Sequence, residues 1–92
     1  MPEDITLRRK RLRHLAYSRG MLEVELVLRP FVDHELESLD QPGLDSFERL
    51  LQIEDLDLWE IISGRQPMPK DLDEAMVDKL RGRLAGHVPV NP

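Results

Sequence analysis

A chain of 92 residues, 40% hydrophobic and 34% charged, has the composition of one small globular domain and leaves no room for a second useful core. The absence of cysteine excludes disulfide staples, thiolate nucleophiles and cysteine-ligated metals together. No apolar run approaches the ~20 residues that span a bilayer, and no apolar signal core follows the basic N-terminus, so a soluble cytoplasmic protein is expected. Aromatics make up only 4% of the chain, which leaves Leu, Ile, Val and Met to build the core by helix packing.

The net charge of −5 hides an asymmetry. Arg8, Arg9, Lys10, Arg11, Arg13 and Arg19 have no acid among them, whereas the stretch from Glu23 to Glu60 is mostly acidic. Such a chain can steer a partner toward one face. A basic helix also fits nucleic acid, but a pI of about 5.1 and the lack of interleaved aromatics favour that reading less.

Five segments follow in chain order, with short punctuation between them. The first runs from about Ile5 to Ser18, with Ile5, Leu12, Leu15 and Ala16 as its apolar stripe. Gly20 then stands where a left-handed glycine would end a helix. The second, Met21 to Leu36, alternates Leu22, Val24, Leu26 and Leu28 with Glu23, Glu25 and Val27, which alone reads as a strand. No other segment alternates, so a strand would have nothing to pair with; helix is the expected state, kinked or broken near Pro30. In the third, Asp40 precedes Pro42, and Leu44, Phe47, Leu50 and Leu51 follow at helical spacing. The fourth opens with Asp55 as its cap, carries Leu58, Ile61 and Ile62, and stops at Ser63-Gly64. Pro67 and Pro69 stiffen the next connection. The fifth begins at an Asp71–Glu74 pair resembling a capping box, buries Leu72, Ala75, Met76, Leu80 and Leu84, and is weakened late by Gly82. A frayed tail over His87 to Pro92 is expected. Short connections predict an all-α, compact antiparallel five-helix bundle: one domain over residues 1–92 with its core over about 5–85.

Catalytic chemistry finds little to use. Ser18, Ser38, Ser46 and Ser63 lack a nucleophile-elbow context, and His14, His34 and His87 form no ligand pair on one helix face. The scattered glycines build no phosphate cradle. A bundle this small offers no cleft for paired carboxylates. No catalytic, metal or cofactor-binding residue is therefore assigned, and the chain is expected not to be an enzyme.

The junction Ser18-Arg19-Gly20-Met21-Leu22-Glu23 stands out. A glycine break there would present Arg19 and Glu23 outward and close together, one a planar fork of donors and the other an acceptor. The plain counterpart is an internal ion pair with a glycine cap.

Arg19-Gly20-Met21-Leu22-Glu23 resembles the RGxxE motif of the SdhE family, bacterial relatives of the mitochondrial succinate dehydrogenase assembly factor. The resemblance extends upstream through Arg13-His14-Leu15-Ala16-Tyr17-Ser18. Downstream it includes Leu28-Arg29-Pro30-Phe31 with Glu35, then Phe47-Glu48-Arg49-Leu50-Leu51 and Asp55-Leu56-Asp57-Leu58-Trp59. It covers roughly Arg8 to Leu84. The resemblance implies a five-helix bundle with a helical second segment. It further implies a non-catalytic assembly factor that binds the flavoprotein subunit of succinate dehydrogenase, and of fumarate reductase by extension. That factor promotes covalent attachment of FAD to its partner and holds no cofactor stably itself.

On this view Arg19, Gly20 and Glu23 are the partner-binding residues, with Tyr17, Met21 and Arg11 as secondary candidates. The plain roles of the secondary set are core anchor, core filler and solvated face. Arg19→Ala and Glu23→Ala are both expected to lower flavinylation and leave the fold and melting temperature nearly unchanged. Trp59, Phe47 and the leucines are assigned to the core, and Phe31 to core or interface. The alternative is a small helical regulatory or nucleic-acid-binding protein that uses its basic first helix.

Overall fold

The computed structural model describes residues 3–87, with side chains to residue 83. They form helices α1 (Ile5–Tyr17), α2 (Leu22–Glu35), α3 (Gln41–Leu51), α4 (Asp55–Ile62) and α5 (Glu74–His87), with a short 3-10 turn at Leu36–Ser38 after α2. The ambiguous second segment is helix, and no strand occurs among the described residues. Its buried positions, Val24, Val27, Leu28, Phe31 and Val32, follow the three-and-four spacing of one helix face. The apparent alternation came from Leu22 and Leu26, which lie outside at 62% and 55% exposure. The helix continues through Pro30. Proline removes the bond to the carbonyl four residues back, and that residue, Leu26, is on the exposed side, where solvent replaces the lost donor.

Directions follow from which residues meet. Tyr17 reaches Asp33, Arg13 reaches Glu37 and Arg9 reaches the Leu39 carbonyl. Falling numbers on α1 thus meet rising numbers from the end of α2 onward, so the two helices are antiparallel. Arg8 meets Gln41 and Asp45, Arg11 meets Glu48, and Arg19 meets Leu51 to Asp55; α1 and α3 therefore run parallel. This up-down-up order puts the α1–α2 and α3–α4 connections at the same end of the bundle.

All five helices contribute to one core. Leu12 and Ala16 enter from α1, Leu44, Phe47 and Leu50 from α3, Leu58, Ile61 and Ile62 from α4, and Met76, Val77 and Leu80 from α5. Phe31 belongs to this core, its ring 5.3 Å from that of Phe47 and tilted by 39°, a favourable aromatic geometry. Trp59 packs against the core but stays half-buried. Leu15, expected in the first stripe, is 42% exposed, and Leu7 and Leu56 are also outside. Burying Leu12 and Ala16 aims α1 by one narrow face, and Leu15 falls beyond its edge.

The starts and stops correct several expectations. Asp40 caps α3 through the Gly43 amide at 2.9 Å, as its position before Pro42 predicts. Asp55 is not the cap of α4; Glu54 holds that place and Asp55 is the first helical residue. The α5 start lies two residues later than expected, because Pro69 to Leu72 form a turn and Asp73, not Asp71, accepts from the Met76 amide. Gly64 ends α4 with φ of +83°, the one left-handed glycine among the described residues, so Gly20 does not adopt that conformation. The expected tail beyond His87 and the burial of Leu84 lie outside the described residues.

Candidate functional site

The connection between α1 and α2 is built almost entirely from distant partners. Ser18 ends α1, its hydroxyl donating back to the His14 carbonyl at 2.7 Å. Met21 occupies the cap position of α2 in extended conformation and offers no side-chain cap, so the entering amides need an acceptor from elsewhere. Asp55 supplies it. One of its carboxylate oxygens accepts from the Gly20 amide at 3.0 Å and the Met21 amide at 3.1 Å. The other accepts from Arg19 Nε at 2.5 Å.

Arg19 turns inward, against the outward orientation expected for it. Its side chain is only 11% exposed, with Nη1 donating to the Leu51 carbonyl at 2.5 Å and Nη2 to the Ile53 carbonyl. These carbonyls lie at and just beyond the C-terminal end of α3, where backbone acceptors lack helical partners and a cation is favoured. The planar fork of donors is what allows one side chain to serve two carbonyls and a carboxylate together. Arg19 and Glu23 are consequently not a pair. Glu23 is exposed and joins no ion pair among the described residues.

Gly20 is exposed, and a Cβ placed on it would first meet Asp55 Oδ2 at 3.8 Å, an ordinary contact distance. The surface around it continues onto the outer side of α2 with Leu22, Glu23 and Leu26. The secondary candidates separate. Met21 is half-buried against the core. Tyr17 is half-buried too, its hydroxyl donating to Asp33 and its ring 4.5 Å beneath the Arg29 guanidinium, a cation–π arrangement. The bond to Asp33, and then burial, push the Tyr17 hydroxyl above its ordinary value. Arg11 lies apart from the turn, paired with Glu3 and Glu48.

The basic face of α1 is answered by acids from other elements. Arg8 pairs with Asp45 and Glu48, and Arg13 with Glu37. Hydrogen bonds from Arg11 hold the Glu48 and Glu3 carboxyls below their usual range. Arg8, Arg11 and Arg13 are thus tied to internal carboxylates and Arg9 to the Leu39 carbonyl, while Lys10 is exposed. Among the described residues no group of His, Asp and Glu converges to hold a metal, and no helix is long and apolar enough to cross a membrane. Two open surface hollows of about 350 and 320 Å³ lie over the paired charges of Arg8, Asp45 and Glu48 and of Glu3, Arg11 and Glu48, and a narrower one of about 110 Å³ is lined in part by Phe31, Leu39, Gly43 and Met76.

Sequence reasoning missed Asp55. It stood out only as a cap on its own helix and as the first residue of the family-like Asp55-Leu56-Asp57-Leu58-Trp59 segment, and its real partners lie 34 to 36 residues away. The exposed leucines Leu22 and Leu26 were also missed, although the helical spacing of Val24, Val27, Leu28, Phe31 and Val32 excludes both from the core.

Residues 10–84 match the model of a protein family described as the flavinator of succinate dehydrogenase. Among individual relatives, the FAD assembly factor SdhE of Shewanella oneidensis is 37% identical over 70 residues, covering 76% of this chain and 85% of the relative. The protein of the same name from Idiomarina loihiensis is 34% identical over 79 residues, covering 86% and 84%. The mitochondrial succinate dehydrogenase assembly factor 2 of Caenorhabditis elegans is 29% identical over 77 residues, covering 82% of this chain and 65% of that longer protein. With the match running from the first helix into the last, this chain belongs to the family of succinate dehydrogenase flavinators.

Proposed function

We propose that this chain is a non-catalytic assembly factor that binds the flavoprotein subunit of succinate dehydrogenase, and by extension that of fumarate reductase, and promotes covalent attachment of FAD to it. Family membership and the names of the relatives, a FAD assembly factor and a succinate dehydrogenase assembly factor, support the reading. The observation that carries it is the exposed Gly20 turn held by Asp55, with the exposed Glu23, which has no ion-pair partner among the described residues, beside it. A glycine lets a partner's backbone approach closely, and Glu23 offers a carboxylate for charge-assisted hydrogen bonds.

No group on this chain takes part in forming the flavin bond. The chain binds one arrangement of the flavoprotein better than the others and so raises its population. Each tenfold difference in affinity between two arrangements shifts their ratio tenfold. FAD stays the partner's cofactor throughout, and this chain holds none of its own.

The test is covalent flavin fluorescence of the flavoprotein on a denaturing gel, from cells lacking this chain and complemented with wild type or Glu23→Ala. The expected result is a band that dims without the chain, returns with wild type and stays dim with Glu23→Ala. Equal brightness in every lane would remove the flavinylation role.

A further inference from the structure

Asp55 lies outside the Arg19–Glu23 segment, in a separate stretch of the family resemblance with no role assigned to it, yet it is the group that shapes that segment. Its carboxylate accepts from Arg19 Nε, the Gly20 amide and the Met21 amide, using both oxygens. No other described group accepts from either amide, and Met21 has no side chain with which to cap α2. Without this carboxylate the turn would be free to sample other backbone states, since Gly20 restricts them least of all residues. Arg19 could reach a partner directly only by leaving Asp55 and the Leu51 and Ile53 carbonyls, which would leave the partly buried Asp55 carboxylate without its counter-ion and the carbonyls without their donor.

We infer that Asp55 is a positioning residue for flavoprotein docking: its carboxylate fixes the Gly20–Glu23 surface in its presented shape, and Arg19 acts through Asp55 without touching the partner. The inference rests on the flavoprotein-binding reading above. It divides the segment into an inward half, Arg19, that braces and an outward half, Gly20 and Glu23, that contacts.

A double-mutant cycle on binding separates the two possibilities. Purified flavoprotein subunit is titrated with wild type, Arg19→Ala, Asp55→Ala and the double variant, each well below its own melting temperature and confirmed helical. Each single change is expected to weaken binding about tenfold, or about 1.4 kcal/mol, and the double to weaken it no further than the worse single. Ile61→Val, a buried change on the same helix, lowers stability and is expected to leave affinity within about twofold. Losses that add in the double variant would put Arg19 on the partner and overturn the inference. So would a folded Asp55→Ala that binds like wild type, or an Ile61→Val that loses as much affinity as Asp55→Ala.

Should Asp55→Ala fail to fold, Asp55→Asn takes its place, because its single acceptor oxygen cannot serve Arg19 and the two backbone amides together, and its NH2 group would face donors where the second carboxylate oxygen stood. Hydrogen exchange in the free protein supplies the second readout. The Gly20 and Met21 amides are expected to exchange about tenfold faster in Asp55→Asn with core amides unchanged. Unchanged protection at Gly20 and Met21 would overturn the proposed brace directly. A wild-type chain that does not bind the flavoprotein would remove the functional reading and the inference with it. Faster exchange in Asp55→Asn with wild-type affinity would remove the inference alone.

Discussion

Arg19 and Glu23 differ by four positions and by almost everything else. Arg19→Ala would leave Asp55 without its counter-ion and free the Leu51 and Ile53 carbonyls. Removing one partner from such a set costs about 1–3 kcal/mol, with each kcal/mol worth about 4–8 °C in a domain of this size. Glu23→Ala removes an exposed side chain with no described ion-pair partner and should stay within about 0.5 kcal/mol of wild type. Thermal melts of the two variants side by side are the check. Equal melting temperatures would return Arg19 to the outward orientation that its sequence position suggests. That orientation was not legible because a side chain's direction depends on what the fold brings within its reach.

At the scale of the element, two glycines behave differently because their backbones do. Gly64 closes α4 at φ of +83°, where a Cβ is disfavoured by about 1–2 kcal/mol. Gly64→Ala should therefore lower the melting temperature even though nothing lies within 4 Å of the added Cβ. Gly20 has no such backbone demand, and its Cβ would have room. Gly20→Ala should melt like wild type and still lower flavinylation, which assigns the glycine to the partner's approach; full flavinylation would remove that assignment. The elements themselves were largely legible. The α3 stripe of Leu44, Phe47, Leu50 and Leu51, its Asp40 cap and the glycine stop of α4 are local signals, and each stands where the spacing puts it. The α2 helix was legible only in part, because exposed Leu22 and Leu26 imitate a strand's alternation. Some local expectations missed by a step, among them the caps of α4 and α5, the left-handed Gly20 and the burial of Leu15 and Ala75, both exposed; not legible at all were the non-local features, Asp55 serving another helix and the acids that answer the arginines of α1.

For the whole molecule those acids set the response to pH. Hydrogen bonds hold Glu48 and Glu3 below their ordinary value of 4.5 mainly through Arg11, and Glu35 mainly through Lys79. A carboxyl depressed in the folded state contributes stability that is fully present above its unfolded value and is lost as pH falls through its folded value. The melting temperature should therefore be level near neutrality and fall once pH drops below about 4.5. Glu48→Gln should melt lower than wild type at pH 7, by up to about 1 kcal/mol for a partly exposed pair. The two curves should converge at acid pH, where Glu48 is itself neutral. Parallel curves from pH 7 down to acid would exclude Glu48 as a contributor to the acid transition.

Because α1 and α3 run parallel, their C-terminal ends reach the docking end together, and there the N-terminal ends of α2 and α4 begin. That edge therefore alternates negative and positive backbone poles. The cation, Arg19, sits on carbonyls at an outgoing end, and the anion, Asp55, sits in the first turn of α4 and over the entry of α2. The pair thus has a polarity as well as a partner. Exchanging the two charges, with Arg19→Asp and Asp55→Arg together, would restore their mutual attraction but set each against the pole beneath it. The exchanged protein should regain little of the stability lost by either change alone; full recovery in a thermal melt would mean that the backbone poles play no part in holding that end together.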